Sequence, residues 1–200
     1  MIKRNIVTAA LVAVGVFVSL EYTSVAQSNQ NTTPPNRSTT QQNQNTIGAL
    51  DRQFVIEAAQ GGMAEVSLGQ MAAQRATSDE VKQYGQQMVK EHTQANKELL
   101  ALATQKGLTP PKDMGPKYQA VMERMSQLPS ESFDQAYMSE AGINGHLESA
   151  IVYQRQVQLG QDQDLKAFAA KILPTVREHL EMAQSMVEKG DGENQNRRTP

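Results

Sequence analysis

The sequence predicts an all-α protein, a four-helix bundle of two helical hairpins joined by a crossover segment with a short helix. Three observations predict it. Between residues 47 and 189, four long segments carry apolar side chains at alternating steps of three and four, the period of a helix with one buried face. No segment alternates every second residue as a half-buried strand does. Cap residues, glycines and prolines fall between the segments, where helices start and stop.

The first helix is expected over residues 47–76. Thr77, Ser78 and Asp79 are cap candidates for the second, which has Glu80 in its first turn, runs to Lys106 and is closed by Gly107. The stretch "LTPPKDMGP" blocks regular structure, residues 117–127 can form one short helix, and Pro129 interrupts again. The third helix is expected from the cap candidate Ser130 to Gly160. The fourth starts near Asp162 or Asp164 and stops at Lys189, before Gly190. The hairpins resemble each other: Val81-Lys82-Gln83-Tyr84-Gly85 is matched by Leu165-Lys166-Ala167-Phe168-Ala169, each followed by an apolar pair. After that pair the register differs by three residues, and such a repeat suggests either a duplicated hairpin or a convergent amphipathic pattern.

The flanks read differently. Lys3 and Arg4 precede an apolar run over residues 6–20, and Ser24-Val25-Ala26 follows it, the pattern of a secretory signal peptide cut after Ala26. The run is shorter than the roughly 20 residues a spanning helix needs. Residues 27–46 are almost wholly amide, hydroxyl and proline and read as a disordered polar linker; residues 190–200 read as a disordered tail. The expectation is an exported protein, periplasmic or outer-membrane associated, with a bundle domain over 47–189 and no transmembrane segment in the mature chain.

Export favours disulfides, yet the chain has no cysteine, so packing, or packing plus a metal, must hold it together. Removing Lys3, Arg4 and Glu21 from 19 basic and 21 acidic side chains leaves 17 and 20, a net charge of −3. That balance is no footprint for nucleic acid or anionic lipid. Envelope proteins remain as partners. For an enzyme there is no cysteine nucleophile, no glycine-rich phosphate loop after a strand and no legible Ser-His-Asp set.

The chemistry concentrates in four inward positions. At 100° per residue Glu65 aligns with Phe54, Ala58, Leu68 and Ala72, and His92 with Val81, Met88, Leu99 and Ala103. His146 aligns with Gly142, Tyr153 and Val157, and His179 with Phe168, Val176 and Ala183. These are all the histidines of the chain, and chance places all three on a one-third stripe roughly once in thirty. Glu65 and His92 each stand about 13 residues, roughly 20 Å, from the turn of their hairpin; His146 and His179 stand about 16 residues from theirs. One central polar layer of Glu65, His92, His146 and His179 follows, in the place where bundles house metals.

The runs "DRQFVIEAAQGGMAEVSLGQMAAQRATSDEVKQYGQQMVKEH", "FDQAYMSEAGINGHLESAIVYQRQ" and "LKAFAAKILPTVREHLEMA" resemble the exported bacterial family called domain of unknown function 4142, over about residues 50–188. The likeness includes Gly61-Gly62, Phe133-Asp134 with Tyr137, and the proline ahead of His179. It implies a ferritin-like four-helix fold in the periplasm or outer membrane and names no activity. The di-iron ferritin pattern places a glutamate three residues before the histidine on two helices. Here Val89 and Val176 occupy those positions. One carboxylate and three imidazoles suit a single zinc, copper or nickel ion instead.

Met88 and Met182 lie within a turn of histidines, which favours copper slightly, although methionine at helical spacing is also ordinary core filler. Glu91 and Glu178 point about 100° away from the adjacent histidines and are expected in solvent, with support of those histidines from behind as the lesser alternative. Gly62 and Gly69 are expected to admit a close neighbour, and Pro174 to free a carbonyl near the polar layer. The competing reading is a structural or interaction protein, active in envelope stress, whose polar layer is satisfied internally.

Overall fold

The computed structural model describes residues 47–196, with side chains through Gly190. The expected signal peptide and linker lie outside the described residues. The described chain is an all-α bundle of five helices, counting residues 130–159 as one rod with a change of pitch. Its elements are α1 (Ala49–Arg75), α2 (Asp79–Gln105), α3 (Gly115–Ser126), α4 (Ser130–Tyr137), a π-helical stretch (Met138–Gly145), α5 (His146–Leu159) and α6 (Gln163–Asn196). Helix α1 packs along α2 and α5 along α6, while α3 lies on the crossover between the two pairs. Among the described residues no helix is long and apolar enough to cross a membrane.

The ends follow local chemistry. Ser78 caps α2, its hydroxyl accepting from the Val81 amide at 3.5 Å. Gly107, at φ 71°, ends the helix with the Leu108 amide on the Ala103 carbonyl (2.9 Å) and its own amide on Thr104 (3.0 Å). Asp162 caps α6 by accepting from the amides of Asp164 and Leu165. Two ends differ from expectation. Ser130 is not a cap: Pro129 holds that position, and Ser130 is already helical. Gly190 does not stop α6, which continues to Asn196; without a left-handed backbone there, an interior glycine costs only about 1 kcal/mol.

Two buried or half-buried aspartates tie the hairpins to each other. Asp51, in the first turn of α1, is fully buried and accepts from Gln156 Nε2 (2.6 Å) and from the amides of Gln161 and Asp162 in the α5–α6 turn. Asp134, the fifth residue of α4, accepts from the amides of Thr77 and Ser78 and from the Thr77 hydroxyl (2.7 Å) in the α1–α2 turn. The crossover is pinned by Arg75. Its guanidinium donates to the carbonyls of Met125, Ser126 and Leu128, which end α3, and lies over the Phe133 ring.

Close approach within the first pair depends on two glycines. A Cβ on Gly69 would stand 2.7 Å from the Gly85 carbonyl oxygen, and a Cβ on Gly85 would stand 2.8 Å from that of Gly69. Gly62, also expected to admit a helix, meets the Asn96 side chain instead.

The apolar core is divided in two. One cluster holds Phe54, Leu99, Tyr153, Leu165 and Phe168; the other holds Leu68, Val81, Met88, Phe133, Tyr137 and Ala183. On every long helix the boundary between them falls at the central polar residue: Glu65, His92, His146 or His179.

Candidate metal centre

Each histidine reaches this layer from a different helix position, and two are oriented by the backbone or by a carboxylate. His146 is the first residue of α5, directly after the π-helical stretch. That wider coil presents the Ala141 carbonyl to the imidazole, and Nδ1 donates to it at 2.9 Å. A π stretch inside an α-helix commonly marks a site. His179 Nε2 donates to Glu91 Oε2 at 2.7 Å, while Glu91 Oε1 accepts from Gln87 Nε2 at 3.1 Å. Each bond places a ring proton, on Nδ1 in His146 and on Nε2 in His179, so that in the neutral rings the lone pair falls on His146 Nε2 and His179 Nδ1.

Those two nitrogens and His92 Nε2 are buried without any hydrogen-bond partner. The three rings converge, with centroids 5.2–5.6 Å apart. Together they form a group whose ligand atoms all lie within 4.8 Å of one another and which could hold a metal ion. With edges no longer than 4.8 Å, some point lies within about 2.8 Å of all three nitrogens; bonds of about 2.0–2.1 Å then need shifts below about an ångström.

Glu65 shares the layer but stands apart from this group. Its Oε1 is 3.9 Å from His146 Nδ1, the nitrogen already donating to Ala141, and its Oε2 is buried without a partner. The carboxyl therefore lies behind the His146 ring rather than among the three free lone pairs. Gly145 makes room for it: a Cβ there would stand 2.7 Å from Glu65 Oε1. A small cavity of about 160 Å³, bordered by Tyr118, Asn144 and Gly145, adjoins Glu65 on that side.

Burial sets the charge states. It pushes the Glu65 carboxyl up to about 8, so the group is mostly protonated at neutral pH. His92 is pushed down to about 3, by burial first and then by the neighbouring His146 and His179. His146 is pushed down to about 4, burial outweighing the favourable bonds to the carbonyls of Ala141 and Gly142. Tyr84 is raised by burial and by Glu65; its hydroxyl donates to the His179 carbonyl at 3.2 Å. Both shifted imidazoles are thus neutral, the form that ligates a metal.

The structure places Glu65, His92, His146 and His179 in one layer and brings the three histidines together. It also places residues that spacing did not reveal. Glu91, expected in solvent, is the hydrogen-bond acceptor of His179, because its 100° offset from His92 turns it into the seam between α2 and α6. Glu178 is exposed as expected. Pro174 is exposed, and so is Ala170, four residues earlier, whose carbonyl loses its usual partner. The freed carbonyl thus belongs to the solvent side of α6, not to the polar layer. Met88 and Met182 pack with the apolar cluster. The π stretch contains Gly142 and Gly145, whose spacing before His146 does not by itself mark a widened coil.

An all-helical bundle with a buried cluster of three imidazoles defines the class of protein. The chain belongs to the family described as Domain of unknown function (DUF4142), whose model matches residues 36–186. Among solved structures it is similar to the crystal structure of a DUF305 fragment from Deinococcus radiodurans, with a TM-score of 0.63 and 14% identity, covering 72% of this chain and 98% of that one. A likeness at that identity concerns the fold alone. None of the curated proteins compared matches the chain.

Proposed function

We propose that this protein is an exported, ferritin-like bundle of the cell envelope that binds one metal ion, zinc or copper, through His92, His146 and His179, with Glu65 as the adjoining carboxyl. One observation carries the reading: three imidazole nitrogens, each buried and without a partner, converge from α2, α5 and α6. Leaving such groups unpaired costs about 1–3 kcal/mol each, and a cation would satisfy all three together. The hydrogen bonds from His146 to Ala141 and from His179 to Glu91 are the outer contacts that orient metal-ligating histidines and raise their basicity. A purely structural layer would pair its own polar atoms, and the partnerless atoms of this one weigh against that rival.

The role is storage, buffering or delivery of the ion in the envelope rather than catalysis, and its partners are envelope proteins. Metal analysis of protein purified from its own compartment tests the reading. One ion per chain is expected, together with a melting temperature raised by zinc or copper and a His179→Ala variant that loses the rise. Trace metal only, and no melting shift with either ion, would leave a structural bundle.

A further inference from the structure

Between α1, the start of α3 and α5 lies a surface cavity of about 310 Å³ that shares no residue with the three-histidine group. Ala58 and Val152 give it an apolar wall, and four uncharged polar side chains stand around them: Gln60, Tyr118, Ser149 and Tyr153. None of the four makes a side-chain hydrogen bond among the described residues. Tyr153 is the deepest of them. It is only 8% exposed and its ring packs edge-on against Phe54 at 5.4 Å, so the cavity is the outlet for its unpartnered hydroxyl.

Two glycines shape this group. A Cβ on Gly61 would stand 3.4 Å from the Tyr118 hydroxyl and 3.9 Å from Ser149 Oγ, so both hydroxyls converge over bare α1 backbone. Gly115, at φ 73°, begins α3 where a Cβ would stand 2.7 Å from Gln60 Nε2, which lets that amide lie against the start of the helix. The charges at the mouth are already paired. Glu57 accepts from Arg155 and Glu148 from Lys117, whose ammonium also lies over the Tyr118 ring at 4.8 Å. Burial raises both phenols, helped at Tyr118 by Glu148, Glu65 and Glu57, and keeps them protonated. Each phenol can then donate and accept, as can the Ser149 hydroxyl and the Gln60 amide.

A ligand that satisfies such a set has several groups that both donate and accept, no net charge, and an apolar edge for Ala58 and Val152. A sugar ring has all three, with hydroxyls around its rim and C–H bonds on its faces. At the small end of the size range for ligand cavities, the space takes one ring rather than an extended chain. We infer that this cavity binds a neutral sugar ring, free or at the end of a glycan, through the hydroxyls of Tyr118, Ser149 and Tyr153 and the amide of Gln60. The inference goes beyond the metal-binding reading and does not depend on it.

The test titrates the full chain with glucose, galactose and N-acetylglucosamine, followed by saturation-transfer NMR of the sugar and by the ring resonances of the tyrosines. Saturable binding of at least one of them is expected, with a dissociation constant of about 1 mM or tighter. Tyr118→Phe and Tyr153→Phe keep the rings and remove only the hydroxyls; each is expected to weaken binding by about 3- to 10-fold, the loss of one neutral hydrogen bond, with the melting temperature checked alongside. Glucuronate and glucosamine, which carry a charge, are expected to bind more weakly than the neutral sugars. A trisaccharide of the bound sugar that binds as well as the monomer supports the end of a glycan, and one that is rejected supports the free sugar. No saturable binding of any of the three neutral sugars overturns the inference. So does binding that is unchanged in both tyrosine variants, or a charged sugar that binds as tightly as the neutral ones.

Discussion

The charge states of the polar layer predict how the stability of the metal-free protein varies with pH. Glu65 titrates near 8 in the folded protein and near 4.5 when unfolded, so between those values the folded state holds a proton that the unfolded chain has lost. Stability rises with pH only where the unfolded chain holds more protons, so this group makes it fall by about 1.4 kcal/mol per pH unit. His92 and His146 act in the opposite sense. Their folded values, about 3 and about 4, lie below the unfolded 6.5, so their contribution is complete above 6.5 and is lost as pH falls below it.

From 4.5 to 6.5 two protons oppose one, and stability climbs by about 1.4 kcal/mol per unit; from 6.5 to 8 only Glu65 titrates, and stability falls by about 2 kcal/mol in all. The layer thus contributes a maximum near pH 6.5. Urea unfolding of chelator-treated protein, followed by helical circular dichroism from pH 5 to 9, measures the profile. Glu65→Gln removes the ionisation that this layer contributes to the alkaline limb while keeping the shape of the side chain. Its profile, subtracted from that of the parent, isolates the carboxyl from every other titrating group. A parent and variant with the same alkaline limb would refute the buried, neutral Glu65.

Two further outcomes follow from the contacts of the site and of the hairpin turns. Glu91→Gln removes the carboxylate that receives the His179 Nε2 proton, and metal affinity measured by competition with a chromogenic chelator should drop about 10- to 100-fold with stoichiometry unchanged. Asp51→Ala leaves Gln156 Nε2 and the amides of Gln161 and Asp162 without their acceptor, and unfolding free energy in urea should fall by about 3 kcal/mol, as for other broken buried networks.

The helices, their order and the inward face of each histidine were legible because burial imposes one period along a helix and because polar residues inside that stripe stand out. The level of the layer was legible too, since residue count from a turn converts directly to height. Three features were not. The π stretch breaks the period locally, and two glycines before His146 give no length for it. Glu91 reads as solvent-facing by angle alone, and only the position of α6 turns that direction into the α2–α6 seam. Glu65 has the right height and face, but the rotamer of its side chain and the room left by Gly145 decide that it sits behind His146 rather than beside the other two rings.

The paired contacts of Asp51 and Asp134 bear on ancestry. Each aspartate lies in the first two turns of the leading helix of one hairpin and fastens the bend of the other, across 110 and 57 positions of chain respectively. In a homodimer of a single such hairpin, one codon would supply both fastenings through a two-fold axis. Gene fusion would then have placed the two copies in one polypeptide and freed each half to diverge, which accounts for a glutamate behind the imidazoles on one helix and a histidine on each of the other three.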